Sequence, residues 1–302
     1  MKSTLYSLIT RNKIRTFLFI VVFSLILAFI GYFVGNIFQF GIGFYVIFGL
    51  IIIFYNLILY YNSDKLALGF SNARPASVHE YYQLHNIVEE VALAAGIPKP
   101  KIYIIEEPMP NAFATGRNPQ NASLAVTTGL LQLMNREELQ GVIAHEIAHI
   151  RNYDILIMTI AAIIGGLIVL LRDIFLRMMW FGGRSRSRYN QRGNAGAIFV
   201  IVGIALAIIA PILVALIRAA ISREREYLAD ADGAYIVRYP HGLASALSKL
   251  ASYKGKMQSA SDATAHLFIA NPFGKDRFSI SNLFATHPPL HKRIERLKQL
   301  VI

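Results

Sequence analysis

Four apolar runs divide the chain. The first, FLFIVVFSLILAFIGYFV within residues 16–34, and the second, IGFYVIFGLIIIFYNLILYY at 42–61, carry no charge. Each is close to the ~20 residues with which a helix crosses a bilayer. Lys2, Arg11, Lys13 and Arg15 precede the first run, and almost nothing charged separates the two. Cations gather on the cytoplasmic flank of a span, so the pattern predicts a hairpin with its N-terminus in the cytoplasm. A cleaved signal peptide fits poorly, because no small-x-small cleavage site is evident and a second span follows at once.

The third run, residues 155–171, is short for a span, whereas the fourth, 197–216, is long enough and carries Pro211 as a potential kink. The linker between them holds Arg172, Arg177, Arg184, Arg186, Arg188 and Arg192. If both runs cross, that basic linker lies outside, against the charge rule. A hairpin that does not cross fully is the alternative, and length and apolarity favour crossing.

What remains is polar. Residues 62–154 and 220–302 form one domain, split by a second membrane hairpin at 155–219 and preceded by the first at 1–61. Helical periodicity covers 79–95 and stops at Gly96 and Pro98. KIYIIEE (101–107) and SLAVTT (123–128) read as strands. NREELQGVIAHEIAHI opens a helix with Asn135 as N-cap and Glu138 in the capping-box position, and a last helix runs through HKRIERLKQLVI. The expected fold is mainly α with a small β-sheet, in a polytopic membrane protein.

Composition narrows the chemistry. Of 302 residues 55% are hydrophobic and only 16% charged, which suits a bilayer as solvent. There is no cysteine, which removes disulfides, thiolate metal sites and cysteine nucleophiles. The net charge of +12 fits basic flanks of membrane spans. The clustered arginines lack the interleaved aromatics of a nucleic-acid platform, so no nucleic acid is expected. At Gly274–Lys275, Ile269 stands where a phosphate-binding loop needs glycine, so no ATP is expected either.

GVIAHEIAHIRNYD (141–154) carries the chemistry. Residues four apart share a helix face, so His145 and His149 can hold one metal ion. Glu146 is rotated by about 100° from His145. It is poorly placed as a ligand, but it can reach a water on the metal and take its proton. A third ligand directly downstream fails, because Asn152 and Ile155 occupy the positions where one protease class has glycine and histidine. ISREREYLADADGAYIV (221–237) offers one instead. Glu226 would complete a two-histidine, one-glutamate Zn2+ site. Asp230, four residues on, would orient a ligand histidine through its second ring N–H. Glu224 competes for the ligand role but does not share a face with Asp230. Near the end, THPPLHKRI supplies His287 and Arg293, either as oxyanion stabilisers or as packing. The stretch from Asn111 through Ala112, Phe113 and Ala114 towards Thr128 offers a strand edge on which a polypeptide could pair.

HEIAH, SREREYLAD after a greasy hairpin, THPPLHKRI, and NAFATG (111–116) ahead of SLAVTTGLL (123–131) together resemble the HtpX family of membrane zinc metalloproteases. More distantly they resemble the CaaX prenyl endoproteases. The resemblance covers nearly the whole chain. It implies a gluzincin fold, zinc on His145, His149 and Glu226, Glu146 as general base, and Asp230 as the partner of His145. It also implies endoproteolysis of damaged or misfolded membrane proteins. A metal-binding membrane scaffold is the rival, and the intact Glu146 argues against it. If the helices are continuous, both ligand sets lie within roughly 9–15 Å of the apolar runs. The metal would then be held just above the bilayer, on the cytoplasmic side of the cell membrane.

Overall fold

Two long helices, α1 (Leu5–Ile37) and α2 (Ile42–Phe70), form an antiparallel hairpin. Both are long and apolar enough to cross a membrane, and most of their surface faces outward. They approach closely because Gly31 and Gly35 leave room for the rings of Phe48 and Tyr45. Asn56 Nδ2 donates across the pair to Ser24 Oγ at 2.9 Å. The apolar pattern ends at residue 61, and the helix kinks there: Asn62 has non-helical torsions, φ −119° and ψ 17°. The helix nevertheless continues to Phe70.

The computed structural model describes residues 5–161, 163–164, 223–253, 255–257, 267–272 and 288–301. The basic linker, the fourth apolar run and His287 lie outside the described residues.

Beyond the hairpin come β1 (Arg74–Pro75), α3 (Tyr82–Ala95), β2 (Lys101–Ile105), β3 (Ala112–Asn118) and β4 (Asn121–Thr127). They are followed by α4 (Thr128–Leu133), α5 (Arg136–Arg151), α6 (Arg223–Val237), α7 (Pro240–Ser252) and α8 (Leu290–Lys298). Gly96 ends α3 in the left-handed region at φ 69°, as its position predicts. Asn135 and Glu138 close a full capping box on α5. The sheet runs β1-β2-β4-β3, with β2 and β4 parallel and the other pairs antiparallel.

Side chains alternate across these strands, and both faces are covered. Ile102, Ile104, Leu124 and Val126 face α3 and α5. Ile105, Phe113 and Ala125 face the opposite way, onto Phe19 and Phe23 of α1, Ala67 and Leu68 of α2, and Leu156, Ile157, Ile160 and Ile164. The start of the third apolar run is thus buried between the sheet and the foot of the helical hairpin. The hairpin is one wall of the core.

Candidate metal centre

The metal-site motif lies in an enclosed helix. Every residue of α5 from Gly141 to Ile150 is buried, as are Glu138 and Leu139. Two glycines permit this. A Cβ on Gly141 would meet Leu243 N of α7 at 2.6 Å, and one on Gly233 of α6 would meet His145 N at 2.9 Å. Without those methyls the backbones of α5 and α6 approach closely, and the second helix can deliver Glu226 to the histidines.

His145, His149 and Glu226 converge. Each offers one donor atom, and these atoms lie within 4.8 Å of one another. His145 Nε2 is 3.2 Å from His149 Nε2 and 3.7 Å from Glu226 Oε2, and His149 Nε2 is 3.5 Å from Glu226 Oε1. Tetrahedral bonds of about 2.0–2.1 Å would set ligand atoms about 3.3 Å apart. Two imidazoles and a carboxylate at this spacing fit a small divalent cation. Glu224, the competing residue, is exposed to solvent.

Each histidine has its own carboxylate. His145 Nδ1 donates to Asp230 Oδ1 at 3.0 Å. His149 Nδ1 donates to Asp154 Oδ2 at 3.2 Å. Both bonds aim Nε2 at the shared centre. Asp154 was not legible in the motif, because it follows the helix. Asn152 caps α5, and Tyr153 turns back through the left-handed region at φ 59°. The Asp154 amide bonds to His149 O at 3.0 Å, which sets the carboxylate under the ring.

The field at the two rings differs. Burial and the Arg293 charge pull His145 down to about 4, against Asp230. Burial also disfavours charge on His149, but the bond to Asp154 and the charge of Glu226 outweigh it and raise its pKa to about 9. Positive charge is thus favoured at His149 and disfavoured at His145. Burial lifts Glu146 to about 7; His149 opposes this and Glu226 adds to it. The Ala114 amide of β3 donates to that carboxylate.

Arg293 is fully buried behind Asp230. Nε and Nη2 donate to Oδ2 and Oδ1 of Asp230 at 2.8 and 2.6 Å, and Nη1 donates to Ile269 O at 3.1 Å. Its Nη1 also lies 3.4 Å from Glu226 Oε2. The guanidinium therefore touches two of the three converging side chains, Glu226 and, with Nη2 3.3 Å from Nε2, the His145 ring. On the other side, β3 is the free end of the sheet order, and Asn111, Ala112, Phe113 and Ala114 are all buried. Its outer edge is partly occupied: Ile269 N donates to Ala112 O at 3.1 Å, and Asn111 Nδ2 donates to Ala270 O at 2.9 Å.

Known proteins resemble this chain. Residues 78–301 match the model of peptidase family M48. The protease HtpX homologs of Caldanaerobacter subterraneus subsp. tengcongensis and Thermoanaerobacter pseudethanolicus are each 59% identical over 301 residues, which covers 100% of this chain and 99% of theirs. The homolog from Pyrococcus abyssi is 47% identical over 292 residues, 96% of either chain. The crystal structure of S. mikatae Ste24p superposes with a TM-score of 0.50 at 20% identity, over 96% of this chain and 66% of that one, a likeness of fold. Sequence likeness from end to end, and a family model spanning the whole metal-site region, make the chain a metalloprotease that belongs to peptidase family M48, within its HtpX branch.

Proposed function

We propose that this metalloprotease is a zinc endopeptidase of the cell membrane that cleaves misfolded or damaged membrane proteins. One observation carries the reading: Glu146 is buried beside three converging donors, with a carboxyl shifted by burial to about 7. Zinc held there by His145, His149 and Glu226 would acidify a water and polarise the scissile carbonyl. Glu146 would serve as the base that accepts a proton from the attacking water and as the acid that returns it to the leaving amide nitrogen. A carboxyl near 7 can both accept and return a proton at neutral pH. Asp230 and Asp154 keep the two imidazoles in the tautomer that presents Nε2, and Arg293 acts through Asp230 as a positioning residue.

An extended substrate fits the outer edge of β3, where the Ala112 carbonyl meets Ile269 N and the Ala114 amide meets Glu146. Pairing there would replace the Ile269–Ala112 bond, and backbone pairing tolerates many sequences. Membrane substrates and a cytoplasmic site have separate support. The basic N-terminal end of α1 lies at the metal site, with Lys13 Nζ 4.3 Å from the centre of the Tyr153 ring. Cations on that end favour the cytoplasm, which would put the protease domain on the same side, close to the bilayer.

The test compares purified full-length protein with Glu146→Gln in detergent, both assayed for bound zinc and for cleavage of casein and a model membrane protein. The expected result is zinc in both and cleavage only by the wild type. Zinc without cleavage in the wild type would count against hydrolysis, and a wild type that holds no zinc would overturn the ligand assignment.

A further inference from the structure

The first membrane helix ends on the metal site. Asn12 of α1 is buried at 4% exposure, although it sits in a helix whose neighbours mostly face outward. Its side-chain amide donates to Asp154 Oδ1 at 2.7 Å and to Asn152 O at 3.0 Å. Asp154 uses its other oxygen, Oδ2, to accept from His149 Nδ1. The chain of contacts Asn12–Asp154–His149 therefore runs from the N-terminal hairpin to a metal ligand in two hydrogen bonds. Asn12 O accepts from Thr16 Oγ1 at 2.9 Å, which ties the next turn of the same helix to this position.

We infer that Asn12 is a positioning residue of the metal centre, and that α1 is part of the catalytic unit as well as an anchor. The physical reason is the turn that carries Asp154. It follows the end of α5, and Tyr153 holds a left-handed torsion that only its surroundings can maintain. The bond from its amide to His149 O fixes the Asp154 backbone, but not which carboxylate oxygen faces the ring. The Asn12 amide grips the turn twice, at the Asn152 carbonyl and at the Asp154 carboxylate, and so fixes which oxygen faces His149. Lys13 over the Tyr153 ring holds the same turn from above. Arg225 Nε, 3.5 Å from Asp154 Oδ1, is the other charge on this carboxylate. A buried amide bonded to a carboxylate is costly unless geometry is kept, so the pair resists sliding of α1 against the protease domain. Partners behind a metal ligand commonly set affinity by about 10–100-fold.

The inference rests on a metal held by His145, His149 and Glu226, and the experiment separates the two. Full-length protein in detergent is titrated with Zn2+ against a chromophoric chelator, and its Co2+ form is examined by visible absorption. Wild type, Asn12→Leu, Asn12→Ser and Asn56→Leu are compared. Asn56→Leu cuts a polar contact between α1 and α2, the Asn56–Ser24 bond, about three turns along α1 from Asn12. The expected result is about tenfold or greater weakening of Zn2+ for Asn12→Leu, with a changed Co2+ spectrum. Asn12→Ser, which keeps a short donor and the fold, should fall between Asn12→Leu and wild type, and Asn56→Leu should match wild type. Should Asn12→Leu not fold, the Asn12→Ser comparison decides alone. Equal affinity and spectra for the Asn12 variants and Asn56→Leu would overturn the inference, because α1 would then act only as an anchor. A wild type that binds neither metal would overturn the metal site itself, and this inference with it.

Discussion

Arg293 grips Asp230 with two parallel hydrogen bonds, Nε to Oδ2 at 2.8 Å and Nη2 to Oδ1 at 2.6 Å, and both residues are buried. Asp230 in turn holds His145. The planar fork matters, because a lysine is a point charge that cannot fill both bonds. Removing one partner of a buried pair costs about 3–5 kcal/mol. Arg293→Lys keeps the charge but not the fork, and should lose about 2 kcal/mol of stability together with most of the activity. Denaturant unfolding beside a zinc titration checks this. If affinity for zinc is unchanged in a folded Arg293→Lys, Arg293 does not act through Asp230.

Gly233→Ala isolates the helix contact. A methyl at 2.9–3.1 Å from the backbone of Ala144 and His145 must push α6 away from α5. That shift moves Glu226 relative to both histidines. Overpacking of this kind costs about 1–3 kcal/mol. The expected outcome is a folded protein with weaker zinc binding and a loss of activity out of proportion to its loss of stability. A wild-type zinc affinity would mean that the helices adjust without moving the ligand.

The sequence made the metal motif, its helix and the capping box readable because all three are local. His145 and His149 need only helical spacing, and Asn135 and Glu138 need only one turn. Glu226 required a second helix, and the carboxylate pair Glu226–Asp230 marked it. Asp154 and Asn12 were not legible. Their roles depend on a left-handed turn at Tyr153 and on where a membrane helix ends, and neither leaves a periodic trace. Arg293 was legible as a candidate, but not its direction, since a lone arginine near a C-terminus does not reveal which carboxylate it meets. The strand edge at Ala112 was legible as a strand, while its pairing with Ile269 is a contact between residues distant in sequence.

Glu138 offers a stability test outside the site. Its Oε2 accepts from Asn135 N at 2.9 Å and from Lys249 Nζ at 2.6 Å, and its Oε1 accepts from Ser245 Oγ at 2.7 Å. Burial alone would raise its pKa, but these bonds outweigh it and hold the carboxyl below its ordinary value. A depressed carboxylate contributes stability above its unfolded pKa, and that contribution is lost as pH falls through the folded value. Glu138→Gln should therefore cost about 1–2 kcal/mol near neutrality, and less in acid. Unfolding curves for both proteins at neutral and acid pH measure the difference. A gap that does not narrow in acid would show that the charge is not what Glu138 contributes.

Metal uptake should depend on pH through His149. Without metal its ring is charged at neutral pH, since its pKa is raised to about 9, whereas His145, near 4, is already neutral. A metal takes only neutral imidazole, so binding must expel the His149 proton. Apparent affinity should then rise about tenfold per pH unit between pH 7 and 9 and level off above, the slope of one proton released. Below pH 7 the slope should steepen, because Glu146, near 7, begins to carry a proton that a nearby cation disfavours. Calorimetry in buffers of different ionisation enthalpy counts the protons directly. Release of about one proton at pH 8 is the expected result; release of none would mean that His149 is neutral before metal arrives, and that Asp154 orients the ring without charging it.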